Sequence, residues 1–193
     1  GVPPPAPARV TQTVGLPKLH IWHGKRLLMK ILFLAANSKD TTRLAIDEEI
    51  RSISRKTYQA SDGPILEIIS TWAVRPDDLL QYLNQHRPQI VHFSGHGSAS
   101  GEIILTDDAG DSKPVSARAL KSLFTVFREH VQVVVLNACF SKTQADAINE
   151  VIDYVIGMNT SISDEAAIVF SSSFYRALAF GKSVHEAFEQ AKT

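Results

Sequence analysis

Five short apolar runs, each followed by a stretch of helical periodicity, constrain the fold of this chain more than any other feature. The first, Leu27 to Ala36, is apolar at consecutive positions, as a strand covered on both faces must be. The others are Ile65 to Val74, Ile90 to Phe93, Val131 to Cys139 and Tyr154 to Met158. Between them run helical patterns. Arg43 to Tyr58 places Ile46, Ile50 and Ile53 on one face with charges between, and Pro76 opens a helix with Leu79, Leu80 and Leu83 on its core side. Ser116 caps a helix carrying Leu120, Leu123, Phe124, Phe127 and Val131, and Ser141 to Ile152 aligns Ala145, Ile148 and Ile152. From Asp164 a helix aligns Ala167, Phe170, Phe174 and Leu178 before Gly181 ends it, and Ser183-x-x-Glu186 is a capping box for a last helix to Thr193. Such alternation predicts an α/β fold: a three-layer α/β/α sandwich around a mostly parallel sheet. Gly101 to Val115 breaks the pattern and reads as a small exposed hairpin.

Charge and cysteine usage narrow the function classes. The 193 residues carry 20 basic and 20 acidic side chains, with no block of one sign, so nothing favours nucleic acid or an anionic membrane as partner. No apolar run approaches 18 residues, so no membrane span is expected. One cysteine excludes an intrachain disulfide and fits a reducing cytoplasm. Pro3, Pro4, Pro5 and Pro7 give the start a linker composition, so residues 1–25 read as a proline-rich linker or the end of a preceding region, and residues 26–193 as one domain. With no signal-peptide pattern after Gly1, the chain reads as a fragment of a longer protein. His20-x-x-His23 has no second ligand pair nearby and reads as a packed edge segment, not a metal site.

Ligands on parallel sheets bind beyond the carboxyl ends of the strands. Two such ends carry chemistry. Ile90 to Phe93 stops at Ser94-Gly95-His96-Gly97, where the glycines strip bulk from both sides of one imidazole. The valine-rich run Val131 to Leu136 ends at Asn137-Ala138-Cys139, the single thiol. Neighbouring strands ending in His and Cys can build a thiolate–imidazole pair. Asn37 and Asp164 stand at the same ends. A metal reading of His92 with His96 fails on distance, because at roughly 3.3 Å per residue the two lie about 13 Å apart on an extended strand. Ser98 and Ser100 do not form G-x-S-x-G, and Gly95-x-Gly97-x-x-x-Gly101 misses the dinucleotide fingerprint, which leaves a nucleotide-binding domain the weakest reading.

Ser94-Gly95-His96-Gly97 followed by Asn137-Ala138-Cys139 resembles the His-Gly … Ala-Cys pattern of caspase-like cysteine peptidases. The separation of the two residues is close to the ~50 positions expected in caspases. The sequence is most similar to the bacterial CHAT domain, from Lys30 to Ala191, through Leu34-Ala35-Ala36-Asn37, Asp47-Glu48-Glu49, Ile90 to Gly97, Val135 to Cys139 and Val155-Ile156-Gly157-Met158. The caspase Gln-Ala-Cys-x-Gly signature is not met: Asn137 and Ser141 replace its Gln and Gly, so aspartate specificity is not implied. The resemblance implies a caspase-like fold and a cysteine endopeptidase with no metal or organic cofactor. On that resemblance it would act on a protein substrate as a regulated effector of bacterial defence or programmed cell death, fused to a sensing or adaptor domain. Cys139 would attack, His96 would protonate the leaving amine, and the amides of Gly97 and Cys139 would hold the oxyanion. No side chain stands out as a third member, so a dyad is expected. Asn37, Arg43, Asn137 and Asp164 are the candidates for reading the residue before the scissile bond. Asp164 is either an N-cap or a pocket carboxylate that favours Arg or Lys there. The alternative is a catalytically silent caspase-like module that acts by protein–protein contact.

Overall fold

The computed structural model describes residues 9–12, 27–58, 60 and 63–193. The proline-rich start, His20 with His23, and the turn residues Ser61 and Asp62 lie outside these. In chain order the elements are β1 (Arg9–Gln12), β2 (Leu28–Ala36), α1 (Ile46–Thr57), β3 (Ile65–Trp72), α2 (Pro76–His86), β4 (Ile90–Gly95), β5 (Ile103–Thr106), β6 (Ser112–Val115), α3 (Ala117–Phe127), β7 (Val133–Asn137), α4 (Lys142–Ile148), β8 (Tyr154–Gly157), α5 (Asp164–Ala179) and α6 (Val184–Ala191).

Six strands form one sheet in the order β1-β8-β7-β4-β2-β3. The five strands from β8 to β3 run parallel, and β1 pairs antiparallel with β8. This is the expected α/β/α sandwich. Arg9–Gln12 falls within the stretch read as linker and adds an edge strand that its composition does not announce.

The two faces follow from the period-2 alternation of strand side chains. Ile31, Phe33, Ala35, Val133, Val135 and Ile156 face α1, α5 and α6, where Ile46, Ile53, Phe174, Leu178 and Phe188 close the first core layer. Leu32, Leu34, Ala36, Val91, Phe93, Val134 and Leu136 face α2, α3 and α4, with Leu83, Phe124 and Ile148 opposite. Central strands are largely apolar because each face meets its own helical layer, with His92, Ser94 and Asn137 as buried polar exceptions.

Three expectations need correction. The hairpin β5–β6 forms, but it is not an exposed one: Ile103 to Thr106 are all buried, and Ile103 and Leu105 join the second core layer. Its apolar strand packs in the same layer as Leu32 and Leu34 of β2 and Val91 and Phe93 of β4. Leu80 is half-exposed although Leu79 and Leu83 beside it are buried, because only i, i+4 neighbours share the inner face. The fourth strand ends at Asn137, two residues short of Cys139, so the thiol sits on the turn beyond it. Local signals hold elsewhere. Ser116 Oγ accepts from Ala119 N, and Ser183 with Glu186 makes the reciprocal capping box. Among the described residues no helix is long and apolar enough to cross a membrane.

Candidate active site

β4 and β7 are adjacent and parallel, with Ser94 opposite Asn137 in register. His96 lies two residues beyond Ser94 and Cys139 two beyond Asn137, so both leave the sheet at one level, across a strand spacing of about 4.8 Å. The two side chains line a single cleft, with Leu44, Ala45, Asn137, Ile162 and Asp164 around it and Glu49 and Ser94 beneath. Both are partly exposed.

The His96 ring is anchored by backbone. Its Nε2 lies 2.6 Å from the Thr42 carbonyl oxygen. A carbonyl only accepts, so Nε2 carries the proton and the neutral ring keeps its lone pair on Nδ1. That assigns Nδ1 as the nitrogen able to take a proton. The Cys139 thiol points to the Ile162 carbonyl, with Sγ 3.9 Å from it. In this conformation no hydrogen bond joins Sγ to the imidazole. Sequence reading did not point to this anchor, because any residue could supply a backbone carbonyl.

Gly97 follows His96 directly in the chain. It packs against the backbone of Cys139 so closely that a Cβ there would stand 1.8 Å from the Cys139 carbonyl oxygen. Glycine is required for this approach. Among the described residues, neither the Gly97 nor the Cys139 amide donates a hydrogen bond.

Beneath the cleft lies a buried polar cluster centred on Glu49, which is 2% exposed. Ser94 Oγ donates to Glu49 Oε2 at 2.5 Å, and Asn137 Nδ2 donates to Oε1 at 2.6 Å and to Ser171 Oγ at 3.2 Å. His92, fully buried, stacks on Phe33, hydrogen-bonds Tyr175 through Nδ1 at 3.0 Å, and brings Nε2 to 3.1 Å from Oε1, an ion-pair distance off hydrogen-bond alignment. Burial pushes the Glu49 carboxyl upward, but His92, Ser171 and Ser94 outweigh it and hold the group below its ordinary value. Burial, with the Glu49 charge added, raises the Tyr175 phenol well above its ordinary value. His92 is thus a core residue in this cluster. Glu49 was hidden among the charges of its helix, although Ile46, Glu49, Ile50 and Ile53 share one face; the buried polar residues of the facing strands, Ser94 and Asn137, were the signal for it.

The four candidate specificity residues divide. Asn137 and Asp164 line the cleft. Asn137 is 5% exposed and its Oδ1 has no partner. Asp164 is exposed, and its Oδ2 accepts from Ala45 N at 2.9 Å. It is not the cap of its own helix; Ser163 is, with Oγ accepting from Ala166 N at 3.2 Å. Asn37 closes its own loop, accepting from Leu44 N and donating to Leu44 O, both at 3.1 Å. Asn37 and the exposed Arg43 line a neighbouring groove with Trp72, at the ends of β2 and β3.

A family model described as the CHAT domain matches residues 29–193. A Roc-COR-CHAT protease from an unknown prokaryotic organism is 29% identical over 163 residues, covering 80% of this chain and 15% of its own length. A probable protease from Gillisia limnaea is 26% identical over 157 residues, covering 80% of this chain and 28% of its own. The chain spans less than a third of either relative.

Proposed function

The chain belongs to the CHAT domain family, a caspase-like protease family, and from that premise we propose that it is a cysteine endopeptidase working through His96 and Cys139. The observation that carries this reading is the exit of His96 and Cys139 from adjacent, in-register strands into one cleft. The Cys139 thiol gives its proton to His96 Nδ1, and the thiolate adds to the scissile carbonyl. The tetrahedral oxyanion is held by the amides of Gly97 and Cys139; one such donor is worth about 10²–10³ in rate in other enzymes. Collapse of the intermediate breaks the C–N bond as imidazolium protonates the leaving amine. Water, deprotonated by His96, then hydrolyses the thioester. The Thr42 carbonyl holds the ring throughout and stabilises the imidazolium. No step requires a metal or organic cofactor.

We assign the side chain before the scissile bond to the part of the cleft lined by Asn137 and Asp164. Asp164 offers an exposed carboxylate there, one oxygen of which accepts from Ala45 N, so Arg or Lys is favoured over Asp. Asn37 holds the loop that supplies the Thr42 carbonyl, and Arg43 serves the adjoining groove. We read residues 26–193 as the peptidase domain and residues 1–25 as the stretch leading into it, from which Arg9–Gln12 pairs as its edge strand. The Roc-COR-CHAT relative's name joins CHAT to other units, which supports a regulated effector controlled by a sensing or adaptor domain. We place it in a reducing cytoplasm, acting in bacterial defence or programmed cell death.

The test is capture of Cys139 by peptidyl electrophiles with Arg, Lys, Asp or Leu next to the warhead, against iodoacetamide. Faster capture by the Arg and Lys probes, lost in Asp164→Asn, is the expected result. Preference for Asp, or no response to Asp164→Asn, overturns the pocket. Equal capture by every peptidyl probe and iodoacetamide points to the silent binding module.

A further inference from the structure

One buried carboxylate touches both strands that carry the reacting side chains. Ser94 and Asn137, register partners, each precede their reacting neighbour by two residues, and both donate to Glu49. Helix α1, which carries Glu49, begins four residues after Thr42, whose carbonyl anchors His96. Its N-terminal approach is pinned to the cleft rim by the Asp164 contact with Ala45 N. The height of His96, the height of Cys139 and the anchor of the imidazole therefore hang on one helix.

We propose that Glu49 is a positioning residue, which fixes His96 against Cys139 by tying β4 and β7 to α1. The proposal rests on the peptidase reading of that pair. Stability alone is a poor reason for the charge: apolar replacements of buried ion pairs are often neutral or stabilising. Placement gives a better one, because the carboxylate sits at the floor of the cleft, two residues below the chemistry on both strands. Asn137 is held only through its amide nitrogen, by Glu49 and Ser171, since its Oδ1 has no partner. Without Glu49 the Asn137 amide keeps only its longer bond to Ser171, and Ser94 loses its acceptor. A shift of about 1 Å at a reacting pair can cost on the order of 10² in rate. The ionisable groups facing Glu49 are His92 from β4 and Tyr175 from α5; on the cleft side stand His96, Cys139 and Asp164.

The experiment is the pH profile of Cys139 alkylation by iodoacetamide, which needs no knowledge of the substrate. A thiol paired with an imidazole reacts well below its ordinary range. Wild type is expected to show a reactive arm near pH 6.5 that His96→Ala lowers about tenfold. Glu49→Leu lowers that arm to a similar degree and leaves the rate above pH 9.5, where an unpaired thiol is also ionised, within about twofold. Glu49→Gln can still accept from Asn137 and reach Ser94, so it retains most of the arm. Should Glu49→Leu fail to fold, Ser94→Ala, which cuts only the β4 tie, is expected to lower the arm in the same way. An unchanged arm in the folded variants overturns the role of Glu49 and leaves the pair intact. Equal loss at every pH also overturns it, since that reports altered access and not altered pairing. A wild-type profile indifferent to His96→Ala overturns the pair and this inference together.

Discussion

Gly97 makes the tightest demand of any single residue. A side chain there runs into the Cys139 carbonyl oxygen at 1.8 Å, so Gly97→Val must push the two strand-end turns apart. The expected outcome is loss of peptide cleavage by at least about 10²-fold, measured as kcat/KM. Full activity in Gly97→Val contradicts the close approach and the oxyanion assignment. Glu49 makes a different prediction. Its carboxyl is held below its ordinary value in the folded state, so its stabilising contribution is complete above the unfolded value of 4.5 and is lost as pH falls below it. Glu49→Gln should therefore flatten the acid limb of stability, read from urea unfolding between pH 3 and 7; identical limbs contradict the cluster as described. These residues also show what a sequence reveals at this scale. His96 and Cys139 are legible because the proposed chemistry lies in their side chains and glycine marks the turn. The Thr42 carbonyl is illegible because every residue has one. Glu49 stands between the two: its position on the Ile46–Ile53 face is readable, but its partners are on strands far along the chain.

Among the elements, the β5–β6 hairpin best separates local pattern from tertiary placement. Its aspartate-rich turn and short strands announce a hairpin, and its apolar strand residues are compatible with either an outer flap or an inner cover. The structure makes it a cover, with Leu105 fully buried and Ser38 Oγ donating to the Leu105 carbonyl at 3.2 Å. Leu105→Ala is expected to cost about 2–5 kcal/mol in chemical denaturation, as buried Leu truncations do. A cost below about 0.5 kcal/mol, typical of surface positions, contradicts the burial. Strands β2, β4 and β7 are legible from apolar runs that leave no face for water. The end of β7 is less so, because Ala138 and Cys139 continue the run while the backbone has already turned.

For the whole molecule, alternation of strand and helix carries the α/β/α architecture, and the faces assign themselves from odd and even strand positions. Strand order is not contained in any one segment: it depends on which crossover packs where, and it is the order that sets β4 beside β7. The antiparallel edge strand Arg9–Gln12 had no apolar pattern to betray it, since it is recruited by the open side of β8. The account thus turns on two residues, distant in sequence, made neighbours by topology. Its most direct test is cleavage of a peptide library by the full-length protein, in wild type, Cys139→Ala and His96→Ala, with melting temperature recorded for each. The account predicts cleavage by wild type, none by either variant, and melting temperatures within a few degrees, because both side chains sit at the cleft and outside the core layers. Equal cleavage by all three proteins, or loss of activity that tracks a collapse in melting temperature for both variants, would contradict it.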